Sequence, residues 1–279
     1  MPTFTHFGHR LSYTTFGHGD RTTILLHGLL LNQQMHWPLA RELAARGNRV
    51  VTLDLLGHGQ SDRPREMTSY SMTYFGEQTV GLIEHLGLEQ AVVAGTSLGA
   101  NTALEAMAFA PDRIRGAVVE MPVLDGAMMA CGVAFLPIML ATKYAAPAMR
   151  GLQSVANLVP RGALPLLGNV VLDTVRQDPE PSGAVLEGLF FGRIAPPRRI
   201  RRTLETPTLV IGHGRDPIHP FSDAGMLVDE LPNGRLLEAS SLLELRIAPK
   251  RLTDEIASFI DECWSDEPAV SAQARTSVG

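Results

Sequence analysis

Residues 91–100 read AVVAGTSLGA, a short apolar run followed at once by a serine between glycines. The apolar run predicts a buried strand, and the pattern Gly95-Thr96-Ser97-Leu98-Gly99 leads from it into a helical stretch. Such a sharp strand-to-helix turn holds its serine in a strained backbone conformation, and the small residues let strand and helix pass closely. The stretch therefore predicts a Ser97 hydroxyl that is exposed at the N-terminus of a helix.

Short apolar runs on both sides of this stretch predict further strands, with helices between them. The predicted strands are mostly apolar and cover Thr22–Leu26, Arg49–Leu53, Ala91–Ala94, Gly116–Glu120, Thr208–Ile211 and Arg235–Glu238. The predicted helices cover Trp37–Arg46, Tyr74–Leu86, Leu98–Phe109 and about Pro249 to Cys263. This alternation is typical of an α/β protein with a mostly parallel central sheet and helices on both faces. Residues 4–15 predict an antiparallel pair that turns near Gly8 at the sheet edge.

A long insertion interrupts the alternation of strands and helices. From Pro122 to Arg202 the sequence is rich in Met, Ala, Leu, Gly and Pro, with few strand signals. Because the insertion starts after one strand and ends before another, we expect it over the carboxyl ends of the strands, where open α/β sheets bind ligands. The predicted organisation is a core of residues 1–121 and 203–265, an inserted helical cap or lid of residues 122–202, and a disordered tail of residues 266–279.

The composition argues against several classes of function. The formal charge is −5 and the pI is near 6.0, with Lys and Arg mostly scattered, so we expect no nucleic-acid partner. Cys131 and Cys263 have neither metal-ligand nor disulfide spacing, which favours a reducing, cytoplasmic compartment. We expect no metal and no other cofactor.

Two stretches of the chain bear on whether it carries a secretory signal or a membrane span. The first twenty residues contain no apolar run of the kind found in secretory signals. The uncharged run Gly126–Thr142 is shorter than the roughly 20 residues that a membrane span needs, and it contains Pro137. We therefore expect no membrane span, and a hydrophobic lid or a contact with a membrane surface fits this run better.

Over residues 4–122 and 202–264 the chain resembles proteins of the α/β-hydrolase fold. The turn around Ser97 is similar to the nucleophile elbow of that family, and residues 24–29, ILLHGL, are similar to its strand followed by a His-Gly loop. The resemblance implies that Ser97 is the nucleophile. It also implies that the backbone N–H groups of Leu29 and Leu98 form an oxyanion hole.

Two further segments fit the same resemblance. Residues 54–61, DLLGHGQS, resemble a turn with a mainly structural role in the family, so His27 and His58 are expected to shape loops. The catalytic acid is implied at Asp216, at the end of the strand that follows the insertion. Glu120 and Asp125, just beyond an earlier strand, are its substitutes if Asp216 is only a turn residue.

The histidine that the family uses as general base is absent from its usual loop. That loop follows the last strand and reads ASSLLEL over residues 239–245. Without a base, the serine hydroxyl keeps its proton near neutral pH and is a poor nucleophile. The nine histidines all lie at or before position 219, and they are His6, His9, His18, His27, His36, His58, His85, His213 and His219.

Three residues are candidates for the missing base. His219 lies three residues after Asp216 and His213 three before it, so either could turn toward Ser97 from the neighbouring strand end. Glu244 lies in the loop that usually carries the histidine, and it could act if burial raised its pKa. We favour His219, and the predicted catalytic residues are therefore Ser97, Asp216 and His219.

Side chains of the insertion indicate the character of the ligand. Met128, Met129, Phe135 and Met139 would either line a cavity for an irregular apolar ligand or pack a small core of the insertion itself. The basic run 198–202, RRIRR, would either attract an anionic group, such as a carboxylate or a CoA phosphate, or form a solvated helix face.

These features together predict a serine hydrolase of the esterase or thioesterase type that acts on a small hydrophobic acyl or carbonyl substrate. Two alternatives stay open at this point. One is a non-hydrolytic enzyme, such as a cyclase, lyase or isomerase, that uses the same pocket and oxyanion hole. The other is a catalytically silent protein that only binds a ligand. The sequence also leaves a homodimer open.

Overall fold

The computed structural model describes residues 1–160, 163–214 and 216–265 of the chain. The tail predicted at residues 266–279 lies outside the described residues. Within the described ranges, eight strands form one sheet in the order β1-β2-β4-β3-β5-β6-β7-β8. The strands are β1 (Thr3–His6), β2 (His9–Phe16), β3 (Thr22–Leu26), β4 (Arg49–Leu53), β5 (Ala91–Thr96), β6 (Ile114–Glu120), β7 (Thr208–His213) and β8 (Gly234–Ala239).

The sheet is parallel from β4 to β8, and only its N-terminal edge is antiparallel. β1 pairs with β2 and β2 with β4 in antiparallel register, as predicted for the first residues of the chain. In the parallel part, Leu26 pairs with Gly95, Thr96 with Glu120, and Glu120 with Ile211. The predicted fold is confirmed, and the loops that follow β3, β5, β6 and β7 meet at one edge of the sheet.

Helices cover both faces of the sheet. They are α1 (Trp37–Ala45), α2 (Met72–His85), α3 (Leu98–Phe109), α4 (Met128–Tyr144), α5 (Ala146–Asn157), α6 (Leu166–Val175), α7 (Pro179–Phe190), α8 (Arg198–Arg201), α9 (Phe221–Glu230), α10 (Glu244–Ile247) and α11 (Lys250–Trp264). Every residue of β3 and β5 is buried, as expected for central strands. One apolar cluster packs α2, α3 and α9 on one face, and a second packs α1 and α11 on the other.

The strand β5 runs two residues beyond its predicted end because Gly95 still pairs with β3 and β6, and Thr96 still pairs with β6. Glycine is required at this point by close packing. A Cβ on Gly95 would overlap the backbone of Gly99, and a Cβ on Gly99 would overlap the carbonyl of Leu26. The two glycines therefore let α3 begin in direct contact with β3 and β5.

The helices α4 to α8 occupy the insertion between β6 and β7. Buried polar side chains hold its two ends on the core. The amide Nδ2 of Asn101 donates to the carbonyls of Val123 at 2.7 Å and Ile194 at 2.6 Å, near the start and the end of the insertion. The carboxylate of Asp223 accepts from the backbone N–H groups of Leu124, Gly126 and Ala127 at 2.8 to 3.0 Å.

The helix α4 carries an exposed apolar stripe. Met129, Val133 and Tyr144 are 80%, 72% and 76% exposed. The helical stretch Asp125–Tyr144 has 20 residues, and an 18-residue window within it has a mean hydropathy of 1.5 and is 17% buried. By length and composition alone, this stretch could cross a membrane. The helical stretch thus reaches the roughly 20 residues that the shorter uncharged run Gly126–Thr142 lacks. The absence of a membrane span stays a prediction, and α4 packs against α7.

We expect Gly95→Ala to destabilise the fold by about 3 kcal/mol or more, because the added methyl group has no space beside Gly99. Gly151→Ala is the matched control, since a Cβ at Gly151 on α5 meets nothing within 4 Å. Alanine favours a helix over glycine by up to about 1 kcal/mol, so the control should be stabilised. Urea unfolding of the two variants measures both effects, and equal midpoints would contradict this account of the turn.

Candidate active site

Ser97 lies at the turn between β5 and α3 with φ 55° and ψ −111°. A non-glycine residue with positive φ is uncommon and is held only where its surroundings fix it. The backbone N–H of Ser97 donates to the carbonyl of Glu120 at 2.9 Å, and its own carbonyl accepts from the N–H of Asn101 at 3.0 Å. These bonds hold the backbone on both sides and leave the side chain at the carboxyl edge of the sheet.

A chain of hydrogen bonds joins Ser97 to His219 and Asp216. The Nε2 atom of His219 lies 2.9 Å from the Oγ atom of Ser97. Its Nδ1 atom lies 2.8 Å from the Oδ2 atom of Asp216, which fixes the tautomer with the proton on Nδ1. The Nε2 lone pair is then free to accept the proton of the Ser97 hydroxyl. The structure thus brings together all three side chains that sequence analysis proposed as catalytic.

Asp216 also shapes the loop that carries the imidazole. Its Oδ1 atom accepts from the backbone N–H groups of Ile218 at 2.8 Å and His219 at 3.0 Å. One carboxylate oxygen therefore closes the turn while the other binds the ring. The acid and the imidazole share one tight loop after β7. Because β6 lies between β5 and β7 in the sheet, the ring reaches Ser97 from the second strand over.

The other two candidate bases have partners elsewhere. The Nδ1 atom of His213 lies 2.9 Å from the carbonyl of Ser241, and its Nε2 atom lies 3.5 Å from Glu120. Glu244 accepts two hydrogen bonds from Arg251, and this pairing lowers the pKa of Glu244. A base near neutral pH would need a raised carboxyl pKa, so the geometry does not favour Glu244.

The substitute acids are also engaged or remote. Asp125 is exposed at the start of a short 3₁₀ turn before α4. Glu120 is buried behind Ser97 and binds Thr96 Oγ1 at 2.5 Å and Arg246 Nη2 at 3.0 Å. Burial opposes the ionisation of Glu120, yet Arg246 beside it holds the pKa of that carboxyl well below its usual range. Glu120 is therefore an anion whose charge is already neutralised.

Sequence reasoning missed Arg246 and the network behind Ser97. Arg246 also donates to the hydroxyl of Thr96, the residue before Ser97, at 3.0 Å. Burial lowers the pKa of His213, but the nearby Glu120 carboxylate raises it by more, so the pKa of His213 lies above that of a free histidine. One signal was available in the sequence. Glu120 ends an otherwise mostly apolar strand, and a carboxylate buried there needs a cation beside it.

The N–H groups proposed for the oxyanion hole come from two different elements. Leu98 is the first residue of α3, so its N–H is one of the first-turn donors that have no partner within the helix. Leu29 lies in a turn closed by the N–H of Leu31, which donates to the carbonyl of Gly28 at 3.1 Å. Leu29, Ser97 and Leu98 line the same cavity.

The histidines near this turn are buried and bonded to backbone atoms. The Nδ1 atom of His27 lies 2.8 Å from the Gly28 carbonyl, and its Nε2 atom accepts from the N–H of Leu55 at 3.1 Å. The Nδ1 atom of His58 lies 3.0 Å from the Leu56 carbonyl. Burial lowers the pKa of both rings, which keeps them neutral. Their contacts fit the expected role in shaping loops.

The cavity beside Ser97 has a volume of about 720 Å³ and opens beneath the inserted helices. All four residues proposed from the sequence, Met128, Met129, Phe135 and Met139, line it. Its other lining residues are mostly apolar and include Leu29, Met72, Leu98, Val123, Val133, Leu136, Leu186, Leu189, Phe190 and Ile194. Volume and lining are those of a site for a small apolar ligand.

The basic run 198–202 does not line this cavity. Arg201 binds the buried carboxylate of Glu230 at 2.5 Å, and Arg198 binds it at 3.0 Å. The run therefore anchors α8 on α9, and an anion site there gains no support from the geometry.

Comparison with known proteins shows which family the sequence of this chain matches. A family model described as the alpha/beta hydrolase fold matches residues 23–240. The AB hydrolase superfamily protein YisY of Bacillus subtilis is 41% identical over 108 residues, which are 39% of this chain and 38% of that protein. A 2-hydroxymuconate semialdehyde hydrolase of a Pseudomonas species is 32% identical over 97 residues, 33% of this chain and 34% of that protein. The matched parts therefore span little more than a third of the relatives' own lengths.

A solved structure extends the likeness of fold over most of the chain. The enol-lactonase from Burkholderia xenovorans superposes with a TM-score of 0.74 at 21% identity, covering 93% of this chain and 100% of that one. At this identity the likeness concerns the fold alone.

We expect Arg246→Met to destabilise the protein by about 3 to 5 kcal/mol near pH 7, because it leaves the buried Glu120 anion without its cation. The variant raises the folded-state pKa of Glu120, so the deficit should shrink when the pH is lowered to about 5. The double variant with Glu120→Gln should recover part of the loss. Urea unfolding at both pH values measures this.

Lys143→Met is the control, since it removes an exposed ion pair with Glu187 and should cause no measurable change. A deficit for Arg246→Met that is no larger than that of the control would contradict the described neutralisation of Glu120.

Proposed function

Because this chain belongs to the α/β-hydrolase fold family, we propose that it is a serine hydrolase that cleaves hydrophobic acyl esters or thioesters. The observation that carries the proposal is the chain of hydrogen bonds from Ser97 through His219 to Asp216, with distances of 2.9 and 2.8 Å, at the floor of an apolar cavity. Nucleophile, base and orienting acid in this arrangement are the parts that acyl transfer to a serine needs.

In the acylation step, the Ser97 oxygen attacks the substrate carbonyl carbon while Nε2 of His219 accepts the hydroxyl proton. Asp216 holds the ring and stabilises the positive charge that the imidazole gains. The negative charge on the carbonyl oxygen is received by the N–H groups of Leu29 and Leu98, each of which stabilises the transition state by about 3 kcal/mol. His219 then gives its proton to the departing alcohol or thiol, and an acyl-enzyme remains.

In the deacylation step, His219 takes a proton from water as the water attacks the acyl carbon. The tetrahedral intermediate collapses, the Ser97 oxygen regains its proton from the ring, and the carboxylic acid leaves. General-base help of this kind contributes about 10²- to 10⁴-fold to the rate. The position of the base in the sequence is unusual, but its position in space satisfies the distances that proton transfer requires.

The cavity argues for an uncharged, apolar acyl group. Among the described residues that line the cavity, none is Lys or Arg, and only Ser97 and Asn101 have a hydroxyl or amide side chain. The side-chain amide of Asn101 is already hydrogen-bonded: it donates to the carbonyls of Val123 and Ile194 and accepts from the N–H of Val123. A buried charge without a partner is costly, so a carboxylate-bearing acyl chain is a poor substrate.

The two alternatives from the sequence, a non-hydrolytic enzyme and a silent ligand-binding protein, have no specific contact in their favour. A silent ligand-binding protein would not react with a serine-reactive probe, and a non-hydrolytic enzyme would leave a panel of esters untouched, so these two measurements separate the alternatives from the proposal. We also propose a cytoplasmic location, because Cys131 and Cys263 are free thiols and disulfides are rare there.

A fluorophosphonate probe should label the wild-type protein, and Ser97→Ala should abolish both labelling and the hydrolysis of p-nitrophenyl butanoate. His219→Gln should slow both by about 10²-fold or more, because it removes the base. His213→Gln and Glu244→Gln test the rival bases, and each should change the rate by less than about tenfold.

Labelling rates measured by in-gel fluorescence decide between the three candidate bases. Undiminished turnover in Ser97→Ala would refute the nucleophile, and a larger loss in His213→Gln or Glu244→Gln than in His219→Gln would transfer the role of base.

We expect p-nitrophenyl hexanoate to be hydrolysed at least about 100-fold more efficiently than the mono-p-nitrophenyl ester of adipic acid, which has the same chain length and a terminal carboxylate. Phe190→Lys should narrow this preference, because it adds a cation to the cavity lining at a residue that is 48% exposed. The ratio of the kcat/KM values measures the effect. Equal values for the two esters in the wild-type protein would exclude an apolar acyl site.

A further inference from the structure

Residues 28–31 form a four-residue turn that contains a strained leucine. The N–H of Leu31 closes the turn on the carbonyl of Gly28, and Leu30 at the third position has φ 58°. Turns with positive φ at that position normally place glycine or asparagine there. A leucine in this conformation persists only where the surrounding structure holds it.

Hydrogen bonds and apolar contacts from the inserted helices hold Leu30 in place. The Nε2 atom of Gln177, just after α6, donates to the Leu30 carbonyl at 2.7 Å. The hydroxyl of Thr174 on α6 donates to the same carbonyl at 2.8 Å. The side chain of Leu30 is buried in a cluster with Met139 of α4 and Leu186 of α7.

The conformation of this turn decides where the N–H of Leu29 points. The Gly28 carbonyl accepts from the N–H of Leu31 and faces the Nδ1 atom of His27 on one side. In a trans peptide the N–H and the C=O point in opposite directions, so the Leu29 N–H is directed away from those partners. It therefore stays free of the turn, beside the cavity that Leu29 and Ser97 both line.

We propose that Gln177, together with Thr174, is a positioning residue for the oxyanion hole, and that the inserted helices thereby form part of the catalytic apparatus as well as the wall of the cavity. Gln177 is not among the described residues that line the cavity. It acts through the Leu30 carbonyl, whose position keeps the strained turn closed and the Leu29 N–H directed at the developing negative charge. This inference rests on the proposed hydrolase function.

The test compares Gln177→Met with Gln153→Met in the full chain. Methionine keeps the length of the side chain and removes the donor. Gln153 is the matched control, because its Nε2 atom donates at 2.9 Å to the backbone carbonyl of Arg176, the residue before Gln177, and not to a residue of the turn. We measure kcat and KM with p-nitrophenyl hexanoate, inhibition by butylboronic acid, and the melting temperature.

Gln177→Met should lower kcat by about tenfold or more and leave KM within about twofold, because donors to the oxyanion act on the transition state. Butylboronic acid forms a tetrahedral adduct on a serine, so its inhibition constant should rise by a similar factor. Gln153→Met should keep both values. Thr174→Val should act in the same direction as Gln177→Met.

Each other outcome has a definite consequence. A loss of kcat in both glutamine variants that follows their melting temperatures would reduce Gln177 to a structural role and overturn the inference. Unchanged kcat and boronate inhibition in Gln177→Met, with a wild-type protein that fluorophosphonate labels, would overturn the inference and leave the proposed function intact. A wild-type protein that the probe does not label would overturn both.

Discussion

The contact of β5 with α3 at Gly95 and Gly99 is the constraint on which the rest of the site depends. Because neither residue has a Cβ, the helix starts against the backbone of the sheet, and the chain must turn within one residue. That residue is Ser97, whose N–H is bonded to the carbonyl of Glu120. The turn places the hydroxyl above the sheet edge, at the start of a helix and within reach of the loops that follow the neighbouring strands.

Two polar networks then divide the space around Ser97. In front of it, Asp216 and His219 form a linear arrangement that ends on the hydroxyl. Behind it, Glu120 and Arg246 form a buried ion pair that also binds the residue before the serine. Arg246 comes from α10, after the loop that carries the imidazole in the resembled family. The segment after β8 thus supplies the buried cation Arg246, while the loop after β7 supplies both Asp216 and the imidazole of His219.

Much of the fold could be predicted from the sequence, because apolar runs, glycines and turn residues are local signals. Strands and helices lie within two residues of their predicted ends for most elements, as at α3, which begins at Leu98 and ends at Phe109. The spatial relation of His219 to Ser97 could be proposed only as one of three choices, since it depends on how a single tight loop turns. The contacts of Gln177 with Leu30 and of Arg246 with Glu120 join residues far apart in the chain. The position of Glu120 at the end of an apolar strand indicates that a cation is needed, but the local pattern identifies the partner in neither pair, because tertiary packing decides it.

The two hydrogen bonds that Asn101 donates to the carbonyls of Val123 and Ile194 mean that the insertion leaves the core and returns to it at one point. A segment of about seventy residues whose two ends share one side chain behaves geometrically like a long surface loop, which tolerates changes of length and sequence far better than the elements it connects. The shape of the cavity can therefore diverge among related chains by changes in the insertion, while the sheet and the edge that carries Ser97 stay unaltered. Descendants of one such scaffold could acquire new ligands in this way with little loss of stability.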